Sequence, residues 1–385
     1  MYDVLPTPAA GTITGLVSRR SLRSRNALLG LSALLAACVA QPPAPPSANV
    51  TSAQAHEFID ESLPRELTDR AGWEADIHAG FNALALAPTK ANSCAVAAVI
   101  EQESGFRVDP VIPGLPSIAW REIDERAAGA GVPSVLVHGV LQLNSPTGRS
   151  YSDRIASART EKELSDVFED FIDSVPMGRT LFAEHNPIRT RGPMQVHILF
   201  AEKFATEKTY PYPVKRSIAD EVFSRRGGIY FGIAHLLDYA APYDRYLYRF
   251  ADFNAGQFAS RNAAFQHAVG VATGTRLVAD GSLLPPESLF GGPGATEKAV
   301  RTLSPRLHLS DAAIHEALET AKTENFEKSA LYLRTFALAD QMHKQPLPRA
   351  TVPDIELHGP KLTRKLTTNW YAHRVNERFE RCLNR

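Results

Sequence analysis

The sequence predicts a mainly helical fold. Apolar residues recur at helical steps through most of the chain, while strand-like alternation is rare and short. Clusters of Gly, Pro and Arg at 113–116, 186–193 and 285–294 punctuate the helical stretches. With 385 residues, 44% hydrophobic and 22% charged, the chain has room for a sizeable core and the composition of a globular protein, which excludes disordered and collagen-like readings. Lys plus Arg equal Asp plus Glu at 42 each, so nothing in the charge points to nucleic acid as a partner.

Residues 1–37 read as an export signal. Arg19, Arg20, Arg23 and Arg25 precede "ALLGLSALLAAC", an apolar run shorter than the ~20 residues a membrane-spanning helix needs. "LAAC", Leu35 to Cys38, resembles the lipobox of bacterial lipoproteins, which implies cleavage before Cys38, lipidation of that cysteine and a membrane as partner. "SRRSL", Ser18 to Leu22, also resembles a twin-arginine signal. Residues 38–53, rich in Pro, Ala and Ser, read as a flexible tether. No Asp follows Cys38 directly, which for a Gram-negative lipoprotein implies sorting to the periplasmic face of the outer membrane.

The body begins near residue 54. Residues 54–71 carry Phe58, Ile59, Leu63 and Leu67 at helix-like steps, and "NSCAVAAVIEQES" starts with Asn92 and Ser93 as caps. Glu161–Val175 reads as a charged helix, and "GGIYFGIAHLLDYA" puts Tyr230, Ile233, Ala234 and Leu237 on one face. Beyond residue 290, "HLSDAAIHEALETAKTENFEKSALYLRTFALADQMHK" reads as two helices, the first capped by Ser310 or Asp311. An extended link follows. A final basic helix then carries Leu366, Trp370, Val375 and Phe379 on its apolar side and is expected to pack on the body without a function of its own.

One short stretch carries chemistry. In "IEQESGFRVDP", Glu103 follows Ile100, Val99 and Val96 by three, four and seven residues, which places its carboxyl on the apolar stripe of its helix. Desolvation disfavours a charged carboxylate. A carboxylic acid that keeps its proton near neutral pH is what glycoside cleavage requires of a general acid. Glu101 lies on the other face with Cys94, Ala97 and Ala98, and helical geometry alone leaves it as an alternative.

"ESGF", Glu103 to Phe106, resembles the Glu-Ser motif of the lysozyme-like lytic transglycosylases. "GPMQVHILFAEKFA" from Gly192 resembles their Gly-Leu-Met-Gln segment, with Pro193 in place of Leu. "GGIYFGIAHLLDY" and "RFADFNAGQFASRNAAF" resemble the closing Tyr-containing helix and its Ala-Tyr-Asn-Ala-Gly motif, with Phe253 in place of Tyr. The resemblance spans roughly residues 90 to 265 and implies a lysozyme-like core over 54–290, with an insertion at about 111–185 and a C-terminal helical extension over 291–385. The family's Glu and Gln motifs sit closer together than Glu103 and Gln195 do, so Gln142 in "GVLQLNSP" competes with Gln195. Gln195 is preferred because its distance from Asn254 is near the family's usual gap. The whole chain also resembles a group of proteobacterial lipoproteins that carry only an uncharacterised-domain label.

By resemblance, Glu103 is the sole catalytic acid, Ser104, Gln195 and Asn254 hydrogen-bond sugar and acetamido groups, and Met194 and Phe253 line the site. The implied substrate is the glycan strand of peptidoglycan, without a cofactor. The alternative is a lysozyme-like lipoprotein that binds glycan or an envelope partner without cleaving it. No CxxC or HExxH pattern occurs and the 12 His are scattered, so no metal site is expected. With Cys38 assigned to lipid, Cys94 and Cys382 are left either as a disulfide of an oxidising compartment or as buried thiols. Oligomeric state is not read from the sequence.

Overall fold

The computed structural model describes residues 50–178, 186, 188–285, 292–357 and 365–385. The export signal, Cys38 and the tether up to residue 49 lie outside them.

The described residues are mainly helical. Helix α1 (Ser52–Ser62) begins with a capping box between Thr51 and Gln54, which satisfies two of the first backbone donors. Helix α2 (Arg70–Ala83) follows a break, so residues 54–71 are not one helix. Pro64 sits in that break, and the Arg70 guanidinium bonds the Leu63 and Pro64 carbonyls there, at 3.1 and 2.6 Å. Helix α3 (Lys90–Glu103) starts three residues before the expected Ser93 because Thr89 is its cap, accepting from the Asn92 amide. Its residues Ser93 to Ile100 are buried all round rather than along one stripe, as an apolar helix at the centre of a core must be.

Helices α4 (Leu115–Gly129), α5 (Ser134–Leu141), α6 (Tyr151–Ser157) and α7 (Glu161–Ser174) form the stretch expected as an insertion. They share a small core of their own, centred on Leu115, Tyr151, Ile155 and Val167 and closed by Ile188 and Phe223. Gln142 lies exposed at the end of α5, beside that core.

Strands β1 (Thr190–Arg191) and β2 (Val196–His197) pair antiparallel around the Gly-Pro-Met-Gln turn. Helices α8 (Ile198–Glu207), α9 (Ile218–Phe223), α10 (Arg225–Leu237), α11 (Tyr246–Ala255) and α12 (Ala259–Thr273) follow. Helix α10 is buried along nearly its whole length and packs on α2 and α3. Helices α13 (Ala295–Thr302), α14 (Ser304–Leu307), α15 (Asp311–Glu319) and α16 (Ala330–His343) gather with α12 around Phe265, Phe326 and Phe336 in a second core. Ser310 caps α15.

Strands β3 (Glu356–Leu357) and β4 (Leu366–Thr367) pair antiparallel, and helix α17 (Thr368–Leu383) then returns to the central core. The C-terminal third is therefore divided: α13 to α16 pack with α12, whereas α17 packs between α3 and α11. Leu366 belongs to β4. The buried side of α17 carries Tyr371, Ala372, Val375, Phe379 and Cys382, and each large apolar side chain buried there contributes about 1.5–3 kcal/mol. No helix among the described residues is long and apolar enough to cross a membrane.

Candidate functional site at the end of helix α3

Helices α3 and α17 meet at Glu103, and the same end of α17 also holds the end of α11. Helix α3 ends with Glu103, and Gly105 and Phe106 then both take left-handed backbone conformations, at φ of 58° each. That turn sends Phe106 inward, where it meets the edge of Trp73 at 5.3 Å between ring centres. Glu103 itself stays half-buried at the rim.

Helix α17 runs antiparallel to α3 and is tied to it at both ends. At one end the Tyr371 hydroxyl donates to Glu103 Oε1 at 2.5 Å. At the other, Cys94 and Cys382 are joined by a disulfide, with Cα atoms 5.6 Å apart. Between them Glu101 Oε1 takes ion pairs from Arg378 at 3.3 Å and Arg381 at 3.0 Å. The two acids of the opening motif therefore have different fates: Glu101 is a surface ion-pair partner, and Glu103 faces a buried phenol. Burial and then the neighbouring Glu103 carboxylate push the Tyr371 hydroxyl far above its ordinary range, so it stays protonated and acts as a donor.

Helix α11 supplies the third wall. Asn254 sits exposed in its last turn, and its Oδ1 accepts from Thr368 Oγ1 at 2.7 Å. Thr368 and Tyr371 are three residues apart on α17, so the first turn of one helix holds both Asn254 and Glu103. Tyr246 at the start of α11 closes the triangle by donating to Asn92 Oδ1 on α3 at 2.6 Å.

The remaining residues singled out by sequence turn inward. Ser104 Oγ is buried and donates back to the Ile100 carbonyl at 3.1 Å. Met194 is wholly buried, a core residue rather than an exposed wall, because its turn lies flat against α10. A Cβ added to Gly232 would sit 2.2 Å from Met194 Sδ, so only glycine admits that approach. Gln195, in a left-handed conformation, accepts from Thr190 Oγ1 at 3.0 Å and donates to the Gly192 carbonyl at 3.2 Å, bracing its own hairpin. Phe253 is nearly buried and stacks edge-on against His235 at 5.0 Å. His235 Nε2 donates to the Phe253 carbonyl at 3.2 Å, and Phe200 packs on its other side. Burial lowers the His235 imidazole to about 4, so it is neutral at physiological pH.

Phe106, Met194, Phe253 and Tyr371 all belong to one buried cluster. The structure thus gathers the three motifs around the α3 and α10 core, with Glu103 tied to Asn254 through α17. It does not bring Gln195 into hydrogen-bond contact with either. Sequence reasoning missed Tyr371 and Thr368. Tyr371 lies four, eight and eleven residues before Val375, Phe379 and Cys382, a period that marks it as part of the buried face.

Helix α11 itself carries a buried carboxylate. Asp252 accepts from Tyr239 and Tyr243 at 3.0 and 2.7 Å and from the backbone amides of Phe258 and Ser260 at 2.9 and 2.6 Å. Burial raises it to about 6 despite those donors. It joins α11 to α12. No cluster of His, Cys, Asp and Glu able to hold a metal ion occurs among the described residues.

The fold and site define a helical protein in which a disulfide-stapled C-terminal helix holds two carboxylates at the end of the central helix, Glu101 by ion pairs and Glu103 by a hydrogen bond. The chain belongs to the family described as proteins of unknown function, DUF1615, whose model matches residues 66–385. The uncharacterized protein YaiW of Escherichia coli (strain K12) is 47% identical over 362 residues, which cover 93% of this chain and 98% of that relative. No solved structure matches the chain.

Proposed function

We propose that the protein is a lytic transglycosylase with a lysozyme-like core, anchored through Cys38 on the periplasmic face of the outer membrane and acting on peptidoglycan. Glu103 donates its proton to the glycosidic oxygen between N-acetylmuramic acid and N-acetylglucosamine as the bond from that oxygen to C1 breaks. The muramic C6 hydroxyl then bonds to C1, and its proton passes to Glu103, which regenerates the acid. The product is a 1,6-anhydro ring, and no water is consumed. No second carboxylate is required, because the neighbouring N-acetyl group stabilises the oxocarbenium-like charge.

One observation carries this reading: a carboxyl closes the central apolar helix at the rim of the core, and Tyr371 holds it in a fixed orientation near Asn254. Orientation of this kind is what proton transfer to a bound sugar needs. Digestion of purified peptidoglycan by the folded protein, followed by mass spectrometry of the muropeptides, tests it.

A second reading, a lysozyme-like lipoprotein that binds glycan or an envelope partner without cleavage, draws on a specific observation. Tyr371 already donates to Glu103 Oε1 and Thr368 to Asn254 Oδ1, so both polar groups are engaged by the protein's own side chains. Retained glycan binding without anhydro-muropeptides is the outcome that selects it.

A further inference from the structure

Helix α5 is apolar on both of its sides but covered on only one. Val137 and Leu141 face the small core of α4 to α7. Val135, Leu136 and Val140 lie on the other side of the helix and are 74%, 60% and 45% exposed, and Val132 just before it and Leu143 just after it are 42% and 61% exposed. A stripe of large aliphatic side chains left in water is costly at about 25 cal/mol per Å² of apolar surface, so its presence marks a surface that is covered in use.

Two features select the cover. From Ala127 to Gly148 the chain contains no Asp, Glu, Lys or Arg, although 22% of the whole sequence is charged, and arginines border the run at Arg126 and Arg149. A protein partner is met by an apolar centre inside a polar rim and by aromatic anchors. A charge-free aliphatic face between flanking arginines instead suits the acyl and headgroup region of a bilayer. The nearby charges lie on the neighbouring helix: Glu122 pairs with Arg126, and Asp124 accepts from His138 at 2.8 Å, off the exposed stripe. Second, the proposed anchor at Cys38 lies roughly a dozen residues before the body, a tether that spans roughly 40 Å when extended at ~3.1 Å per residue. That length keeps the body within reach of the membrane.

We infer that α5 and its flanking loops dip into the lipid surface to which the protein is tethered, a second contact that fixes how the body faces that membrane. Helix α5 is eight residues long, so it lies in the interface and does not span it. The inference rests on the anchor at Cys38 and is independent of the chemistry at Glu103.

The test uses the full-length lipidated protein in phosphatidylcholine–phosphatidylglycerol vesicles. The chain has three cysteines, so with Cys38 acylated and Cys94 bonded to Cys382 an introduced thiol is the only one to take a dye. An environment-sensitive probe at Leu136→Cys is expected to shift to the blue in vesicles and to be quenched by doxyl-labelled lipid. The same probe at Lys322→Cys, on an exposed turn of the second core, is expected to do neither, and adding Val140→Asp is expected to reduce both effects at position 136. A water-exposed probe at 136 on vesicle-bound protein overturns the docking and leaves the anchor standing. A blue shift that follows protein concentration without vesicles assigns the stripe to a second copy and also overturns it. Labelling of the unsubstituted chain that peptide mapping places at Cys38 reports a free thiol there and overturns the anchor and, with it, the inference.

Discussion

Tyr371 and Glu103 are 268 residues apart in sequence and meet through a hydrogen bond of 2.5 Å. The contact joins the last helix of the chain to the end of the central one. It makes α17 part of the candidate site, against the expectation that the final helix only packs on the body.

Replacing Tyr371 by Phe keeps the buried ring and removes the donor. Hydrogen bonds to charged groups are worth about 1.5–3 kcal/mol. If that energy orients Glu103 for proton transfer, cleavage slows roughly 10- to 100-fold. The check is anhydro-muropeptide release at matched protein concentration, with the thermal midpoint as control for folding.

Breaking the disulfide frees the other end of α17. Removing a native disulfide typically costs about 2–5 kcal/mol. Urea unfolding of Cys94→Ala with Cys382→Ala is expected to show a loss of that size against the oxidised protein. Reductant should lower the midpoint of the parent and leave the double variant unchanged.

Gly232 and Met194 are expected to be coupled. Gly232→Ala forces a methyl group into the Met194 side chain, and overpacking of this kind costs about 1–3 kcal/mol. Combining it with Met194→Ala opens the space, so the double variant should lose less stability than the two single losses together. Denaturation midpoints of the four proteins decide this, and strict additivity would count against the close packing of the turn on α10.

Two buried groups oppose one another in pH dependence. His235 has a folded value of about 4, below the ~6.5 of an unfolded chain. As pH falls through that interval the unfolded chain binds a proton first, and stability drops by about 3 kcal/mol. Asp252 has a folded value of about 6, above its ordinary 3.8. As pH falls through its interval the folded chain binds first, and stability rises by about 3 kcal/mol. The contributions of these two groups therefore nearly cancel over this range. His235→Gln, which keeps a donor for the Phe253 carbonyl, should become more stable on acidification, as urea midpoints across that range would record.

The helical class was legible because apolar periodicity is local, and α7, α10, α15 and α16 lie where their patterns place them. Boundaries were less so: the cap of α3 is Thr89 because its hydroxyl reaches the Asn92 amide, a choice that Asn92 and Ser93 disguise as acceptable caps themselves. Glu103 stood out through its position on an apolar helix. Its partner did not, since nothing local in "NWYAH" reports a carboxylate from another helix. The inward turn of Ser104, Met194 and Gln195 was hidden for the same reason, because a motif names residue types and the packing around α10 decides which way they face.

In the proposed reaction Glu103, and not Glu101, shuttles the proton. The most direct measurement is mass spectrometry of muropeptides released from purified peptidoglycan by the parent protein, Glu103→Gln and Glu101→Gln. The parent and Glu101→Gln are expected to release 1,6-anhydro products, and Glu103→Gln none. Anhydro products from folded Glu103→Gln, or none from the folded parent, would contradict the proposed reaction.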